Sequence, residues 1–472
     1  MNLYLDNIGK ISGSTIIIDG LTIITGENNS GKTTVGKTLY SIVSAVENLQ
    51  QSAFVDIRNY AVRAINRAFN NIELYRYARF GLFEINKRTK ISNISSVFYF
   101  EQPENIEDIL SAINEKIKEL KNCSEKDIDK FFEEWHIDEN QNTKKRLVSN
   151  FMKKRTEVIK ALDEVGKNLQ TDPKLAKYTN AKIITTLKKE FYNQIRGINN
   201  ESKESRIRLS NEDESYYDIK LSDNELCGKK EIFLTQAFDS SLFVDDVVVI
   251  DEMSEARKNR NYLQNEDNAS YDDFLSHLPN KIHREKLLDK LINNNNSFEE
   301  GIYKKAAEKV IKCMKEASLG QMAFVENKYL INGLDIRNLA MGSKMFLIIK
   351  TLMEGGHCGS KTLLVLDEPE SHLHPEWQNI FAETIVLLVK YLKTKVVITT
   401  HSPNFLLAID VFSKKHKMRE ITHFYKSTLM SKGKNVRLEI VDDNINEIYA
   451  KMTKPFVKLE AMVNYAGDEG DY

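Results

Sequence analysis

The sequence predicts an α/β fold assembled from both ends of the chain, with a large helical insertion and a small antiparallel β subdomain in between. Three observations predict it. Leu21–Thr25 (LTIIT) is a short, continuous apolar run that leads through a Gly-containing loop into a helical stripe, as a buried parallel strand feeding a helix does. About 300 residues later, Thr362–Leu366 (TLLVL) and Lys395–Thr399 (KVVIT) are runs of the same kind. Between these ends the charges are dense, and apolar residues recur at helical spacing.

Taken in order, residues 1–50 read as the first part of an α/β head. After the loop Gly26–Lys32, a helix carries Val35, Leu39, Ile42, Val43 and Val46 on one face. Residues 51–200 read as the helical insertion. One helix is marked by Ile106, Ile109, Leu110, Ile113, Ile117 and Leu120, another by Leu147, Phe151, Val158, Leu162 and Val165, together a coiled-coil-like arm. Residues 201–252 form the β-rich part, with strands expected at Arg206–Leu209, Tyr216–Leu221, Ile232–Phe238 and Leu242–Ile250. Residues 253–320 are helical, broken by a loop at Asn293–Asn296. Residues 321–462 return to α/β, with a hairpin at Phe324–Ile331, a strand at Val436–Val441 and a helix at Ile445–Met462. Residues 463–472 form an acidic tail, of which Gly467–Tyr472 is expected to be disordered.

The formal net charge of −1 excludes a protein that coats nucleic acid by bulk charge, though not a local basic stripe. No apolar run approaches the roughly 20 residues that a membrane helix needs, and Met1–Gly9 lacks the shape of a signal peptide. The four cysteines, Cys123, Cys227, Cys313 and Cys358, are scattered and form neither a disulfide framework nor a zinc pattern. A reduced, cytoplasmic setting is expected.

Gly26-Glu-Asn-Asn-Ser-Gly-Lys-Thr33 matches the phosphate-binding loop G-x-x-x-x-G-K-S/T. Its glycines let backbone N–H groups turn inward towards phosphate oxygens, Lys32 reaches the β- and γ-phosphates, and the Thr33 hydroxyl ligates Mg²⁺. Gly26, Asn28, Asn29, Ser30, Gly31, Lys32, Thr33 and Thr34 are the expected nucleotide contacts. Thr362–Leu366 ends in Asp367-Glu368-Pro369, a Walker B pattern. It would deliver Asp367 to the Mg²⁺ and leave Glu368 as the general base for the attacking water. A buried strand followed by an acidic turn is the bland alternative, and pairing with the phosphate loop outweighs it. Val396–Thr400 ends in His401, in isolation a structural histidine, but placed here to hydrogen-bond a γ-phosphate or orient Glu368. Asn338–Phe346 opens a helix about 25 residues before Walker B, and its first N–H groups can bind an anion.

These four motifs, in this order, resemble the ABC-type P-loop ATPases. Asp367-Glu-Pro-Glu-Ser-His-Leu-His-Pro375 closely resembles a segment of their soluble branch, which holds the RecF, SMC and OLD-type enzymes and many bacterial anti-phage ATPases. The resemblance covers both chain ends well and the middle poorly. It implies ATP and Mg²⁺ as ligands and a head-to-head homodimer or higher oligomer. The helix tip at Ala340, Gly342, Ser343 and Lys344 of one copy would then touch ATP held at Lys32 of another. The family's signature serine falls at Ala340, so its hydroxyl is lost. Ser343 or Lys344 would have to substitute, and slow or regulated hydrolysis would follow. A Q-loop glutamine is expected, with Gln236 as the candidate. His372 and His374 are assigned to the turn after Walker B rather than to a metal.

Only about 70 residues follow His401, too few for an ordinary appended nuclease domain. The resemblance therefore points to an anti-phage ATPase that senses or gates a separate effector, a nuclease or toxin, as in Septu and PARIS systems, with DNA or a phage component as a further partner. A DNA repair or chromosome-maintenance ATPase of RecF or SMC style is the alternative. A membrane transporter subunit fits the insertion badly.

Overall fold

The structure is a computed structural model, described at residues 1–47, 67, 106–126, 140–170, 175–197, 202–211, 215–227, 238–263, 282–293, 301–314, 320–430 and 435–468. The chain divides into two compact units, Met1–Glu47 with Thr179–Tyr472, and Asn48–Tyr178.

The first unit is built on a six-stranded sheet that joins both chain ends. β3 (Leu21–Thr25) lies between β13 (Thr422–Leu429) and β12 (Lys395–Thr400), followed outwards by β11 (Thr362–Asp367) and β7 (Ser240–Val244). These five are parallel, and β14 (Val436–Ile440) closes the far edge antiparallel to β13. Such strands are apolar throughout because alternate side chains enter two different cores. On one face lie Ile23, Leu364, Leu366, Val396 and Ile398, on the other Ile24, Leu363, Val365 and Val397.

The second of these faces is covered by α1 (Lys32–Val46), with Val35, Leu39, Ile42, Val43 and Val46 buried. α1 can approach because Gly36 carries no side chain, a Cβ there falling 2.6 Å from Val365 Cγ1. The same core takes one side of an antiparallel sheet of β1 (Asn2–Asp6), β2 (Ser14–Ile17), β4 (Glu204–Ser210), β5 (Ser215–Ser222) and β6 (Glu225–Leu226), in the order β2-β1-β4-β5-β6. The antiparallel part thus draws two strands from the N-terminus. Ile183, Leu187 and Ile195 join that core as well, which brings α4 (Leu175–Glu190) into the head from Thr179 onward.

The opposite face carries α8 (Met341–Glu354), α9 (Pro375–Leu392) and α10 (Pro403–Lys415), which bury Phe346, Ile349, Phe381, Ile385, Phe405 and Ile409. α5 (Met253–Leu263), α6 (Ile282–Ile292), α7 (Ile302–Cys313) and the strands β8 (Met322–Val325), β9 (Lys328–Ile331) and β10 (Leu334–Asp335) complete it. In the other unit, α2 (Ile106–Asn122) and α3 (Gln141–Gln170) bury Ile113, Ile117 and Leu120 and Leu147, Phe151, Val158, Leu162 and Val165. Ile113 lies beside Gly166, while Arg155 donates to the Cys123 carbonyl at 2.6 Å, so the two helices run antiparallel.

Two expectations change. The run Leu242–Ile250 is not one strand, because Asp245 and Asp246 interrupt it. The Asp246 carboxylate accepts from Val248 N at 2.9 Å and caps a 3₁₀ turn, Val247–Glu252. The final helix α11 runs from Ile445 to Asp468, through Pro455, past the end expected for it at Met462. The strand expected at Ile232–Phe238 lies, except for Phe238, outside the described residues. Among the described residues no helix is long and apolar enough to cross a membrane.

Candidate nucleotide site

The parallel register brings distant residues to one edge. Thr25 pairs with Thr400, Thr399 with Asp367, and Leu366 with Val244. One residue further along their strands, Gly26, His401, Glu368 and Asp245 therefore leave the sheet together at its C-terminal edge, where open α/β sheets bind ligands.

The loop that follows β3 turns on left-handed residues. Asn29 has φ 63° and Gly31 φ 80°. Gly26 admits no side chain, since a Cβ would stand 1.7 Å from Ser427 Oγ. Lys32, 5% exposed, donates to the Gly26 and Glu27 carbonyls at 2.9 and 3.1 Å, and its amine lies 3.4 Å from Glu368 Oε1. Ser30 Oγ is buried without a hydrogen-bond partner among the described residues. Asn28 and Asn29 are exposed, and Thr34 is half-buried against Gly9.

Thr33 Oγ1 donates to both Asp367 oxygens, at 3.1 and 2.8 Å, and Thr399 Oγ1 donates to Asp367 Oδ1. Burial raises the Asp367 pKa, the hydrogen bonds from Thr399 and Thr33 oppose this, and the charges of Glu368 and Asp245 add to the rise. Glu368 has φ 49°, a conformation worth about 1–3 kcal/mol of strain outside glycine. It is pinned by its own N–H, which donates to Thr399 O and Oγ1 at 3.1 and 3.0 Å. The result holds the Glu368 carboxylate between Lys32 and His401, whose Nδ1 is 3.2 Å from Oε2.

A family model for an AAA ATPase domain (AAA_15) matches residues 1–406, a span that contains the loop, both carboxylates and His401. The chain belongs to this ATPase family. No curated protein sequence matches it. Among solved structures it is similar to an SMC head domain from Thermotoga maritima, with 10% identity over 93% of this chain and 98% of that one and a TM-score of 0.36. It is also similar to an Smc head with an extended coiled coil, bound to the C-terminal domain of ScpA, from Pyrococcus furiosus, with 9% identity, 97% and 98% coverage and a TM-score of 0.30.

The tip of α8 in this ATPase sits on the turn after β11. Gly342 is buried there, and a Cβ on it would meet the His372 carbonyl at 2.9 Å and Leu373 Cδ2 at 3.1 Å. Ala340 is the exposed N-cap and makes no side-chain cap. Ser343 is 7% exposed. Lys344 turns inward and donates to Asp251 at 2.7 and 2.9 Å and to the Arg337 carbonyl at 3.2 Å. Its charge is paired within the chain. Gln236 lies outside the described residues. His372 and His374 are exposed, with His374 Nδ1 accepting from Glu376 N at the start of α9, and no metal-binding cluster occurs among the described residues.

The sequence reading passed over Glu370. Its carboxylate is 1% exposed, accepts from Thr400 Oγ1 and from His401 N at 3.2 Å, and has its pKa raised by burial. It ties the turn after β11 to the end of β12 and so sets where His401 begins. The signal was present as the second acid of Asp367-Glu-Pro-Glu370.

Proposed function

We propose that this ATPase binds Mg-ATP at the C-terminal edge of its six-stranded sheet, completes the site with the α8 tip of a second copy, and uses the bound state to gate a separate effector in anti-phage defence. One observation carries the chemical part: residues from the start of α1 and from the ends of β11 and β12, drawn from both chain ends, meet as two side-chain-linked sets, Lys32–Glu368–His401 and Thr33–Asp367.

The donor set fits magnesium. Thr33 and Asp367 offer hard oxygens on one point, and Mg²⁺ characteristically takes one or two carboxylates together with phosphates. When bound, the ion neutralises charge developing on the transferred phosphoryl group. Lys32 would exchange its carbonyl partners for phosphate oxygens, and its hold on Glu368 would then pass to the nucleotide. Glu368, released on that side and steered by His401, would accept the proton of the attacking water. Base and lysine are thus coupled, and a half-buried Glu368 held by Lys32 has no reason to act before a γ-phosphate arrives.

The effector role rests on the resemblance of Asp367–Pro375 to anti-phage ATPases. The test is expression with the genomic neighbours under phage challenge. Restriction that vanishes with Lys32→Ala supports the role, and equal plating with both forms removes it. The antiparallel α2–α3 hairpin favours a second reading, a DNA-engaging ATPase of SMC or RecF style. ATP-dependent DNA retention by the purified chain, without any neighbour, would select it.

A further inference from the structure

Beside the linked residues stands another carboxylate that no motif announces. Asp245 follows β7, and because Val244 pairs with Leu366, Asp245 emerges next to Asp367 at the same edge. It is 14% exposed, and its Oδ1 lies 3.2 Å from Nε2 of His283 on α6. That ring is 1% exposed, and its Nδ1 is 2.7 Å from Oε2 of Glu190 on α4. Glu190 Oε1 also accepts the His283 backbone N–H at 3.1 Å. Phe243 and Tyr40 both pack against the imidazole, at centroid distances of 4.6 and 5.8 Å.

Burying an imidazole and a carboxylate is costly unless they are mutually paired, and apolar packing would hold α4 and α6 to the sheet as well. What the pair adds is direction. With Nδ1 on Glu190, Nε2 is turned towards Asp245 at 3.2 Å, close enough to pair by charge though without hydrogen-bond geometry. A histidine fixed this way orients the group beyond it, as carboxylate–histidine pairs do behind metal ligands. Resting on the Mg-ATP reading above, we propose that Asp245 is a positioning carboxylate of the magnesium–nucleotide site, aimed by the buried Glu190–His283 pair. Magnesium keeps several of its waters, and a carboxylate one strand away from Asp367 is placed to accept hydrogen bonds from them.

The experiment titrates a fluorescent ATP analogue against the full chain, once with Mg²⁺ and once with EDTA. It compares wild type, Lys32→Ala, Asp245→Asn and Glu190→Gln, with thermal melts alongside. Asp245→Asn should lose about tenfold of the affinity that Mg²⁺ adds, with binding in EDTA unchanged. Glu190→Gln, if it folds, should move the same way by less. Because Asp245→Asn is isosteric and lies at the rim, it remains decisive if the buried variant fails to fold. An unchanged Mg²⁺ increment in Asp245→Asn, or an equal loss with and without metal, overturns the proposal while leaving the site intact. Wild type that gains nothing from Mg²⁺ overturns the magnesium reading and this proposal together. Lys32→Ala should bind weakly in both conditions, which shows that the signal comes from this site.

Discussion

The two edges of the six-stranded sheet treat their charges in opposite ways. At the N-terminal edge, His423 sits between two carboxylates, Nε2 at 3.1 Å from Asp19 and Nδ1 at 2.7 Å from Asp442. Hydrogen bonding to Asp19 raises the His423 pKa above its ordinary value against some loss from burial. For Asp19, burial pushes the pKa up, but the hydrogen bond and charge of His423 bring it below the ordinary value. At the C-terminal edge, burial raises both Asp367 and Glu370, and Asp245 adds to the negative charge. The first edge has neutralised itself. The second concentrates carboxylates beside an inward-facing lysine, an arrangement that improves when a cation and a phosphate chain enter. A charge satisfied within the chain reports structure, and one held at a cost reports chemistry.

The largest effect that could break this contrast is at Glu368. If it is the base, Glu368→Gln should lower the hydrolysis rate on the order of 10²–10⁴-fold while retaining ATP. Sizing with ATP and Mg²⁺ should then find a dimer, and a persistent monomer would remove the second-copy contribution. Asp367→Asn sharpens the contrast differently. A carboxyl whose folded pKa is raised makes the fold more stable as pH falls through that pKa. The neutral amide should therefore melt higher than wild type near pH 7, while Mg²⁺-dependent binding collapses, the usual opposition of stability and function. A lower melting temperature would mean that Asp367 serves the fold.

Next in size is the pair that seats the α8 tip. Asp251→Asn leaves Lys344 buried and uncompensated, a loss of about 3–5 kcal/mol for a buried pair. Lys344→Met leaves a carboxylate that is 29% exposed and can take up water. Chemical denaturation should rank Asp251→Asn as the more damaging. The reverse order would mean that Lys344, rather than Asp251, can reach solvent.

The strands that bear the site were legible because burial on both faces writes an unbroken apolar run, as at Leu363–Leu366 and Val396–Ile398. The loop Gly26–Thr33 was legible because its backbone conformation restricts residue type. What stayed hidden depends on three-dimensional pairing. Nothing local says that β1 and β2 pair beside β4, that Lys344 folds back onto Asp251, or that His283 reaches Asp245 across the head. A glycine at 342 reads equally well as room for a phosphate or as packing, and only the nearby His372 carbonyl shows that packing demands it.

The smallest expected effect tests the self-neutralised edge. A histidine whose folded pKa is raised contributes its full stabilisation below its unfolded value near 6.5, and loses it as pH rises through the folded value. Asp19, lowered from 3.8, contributes above its unfolded value and loses its share as pH falls through the folded one. The two windows overlap in mildly acidic solution. His423→Gln should therefore cost about 1.5–3 kcal/mol near pH 5.5, the range for hydrogen bonds to charged groups, and visibly less near pH 8.5. Urea titrations at the two pH values measure the difference. A penalty that does not change with pH would mean that His423 is neutral in the fold and that this edge is held by ordinary hydrogen bonds, leaving the contrast between the edges to rest on Asp367 and Glu370.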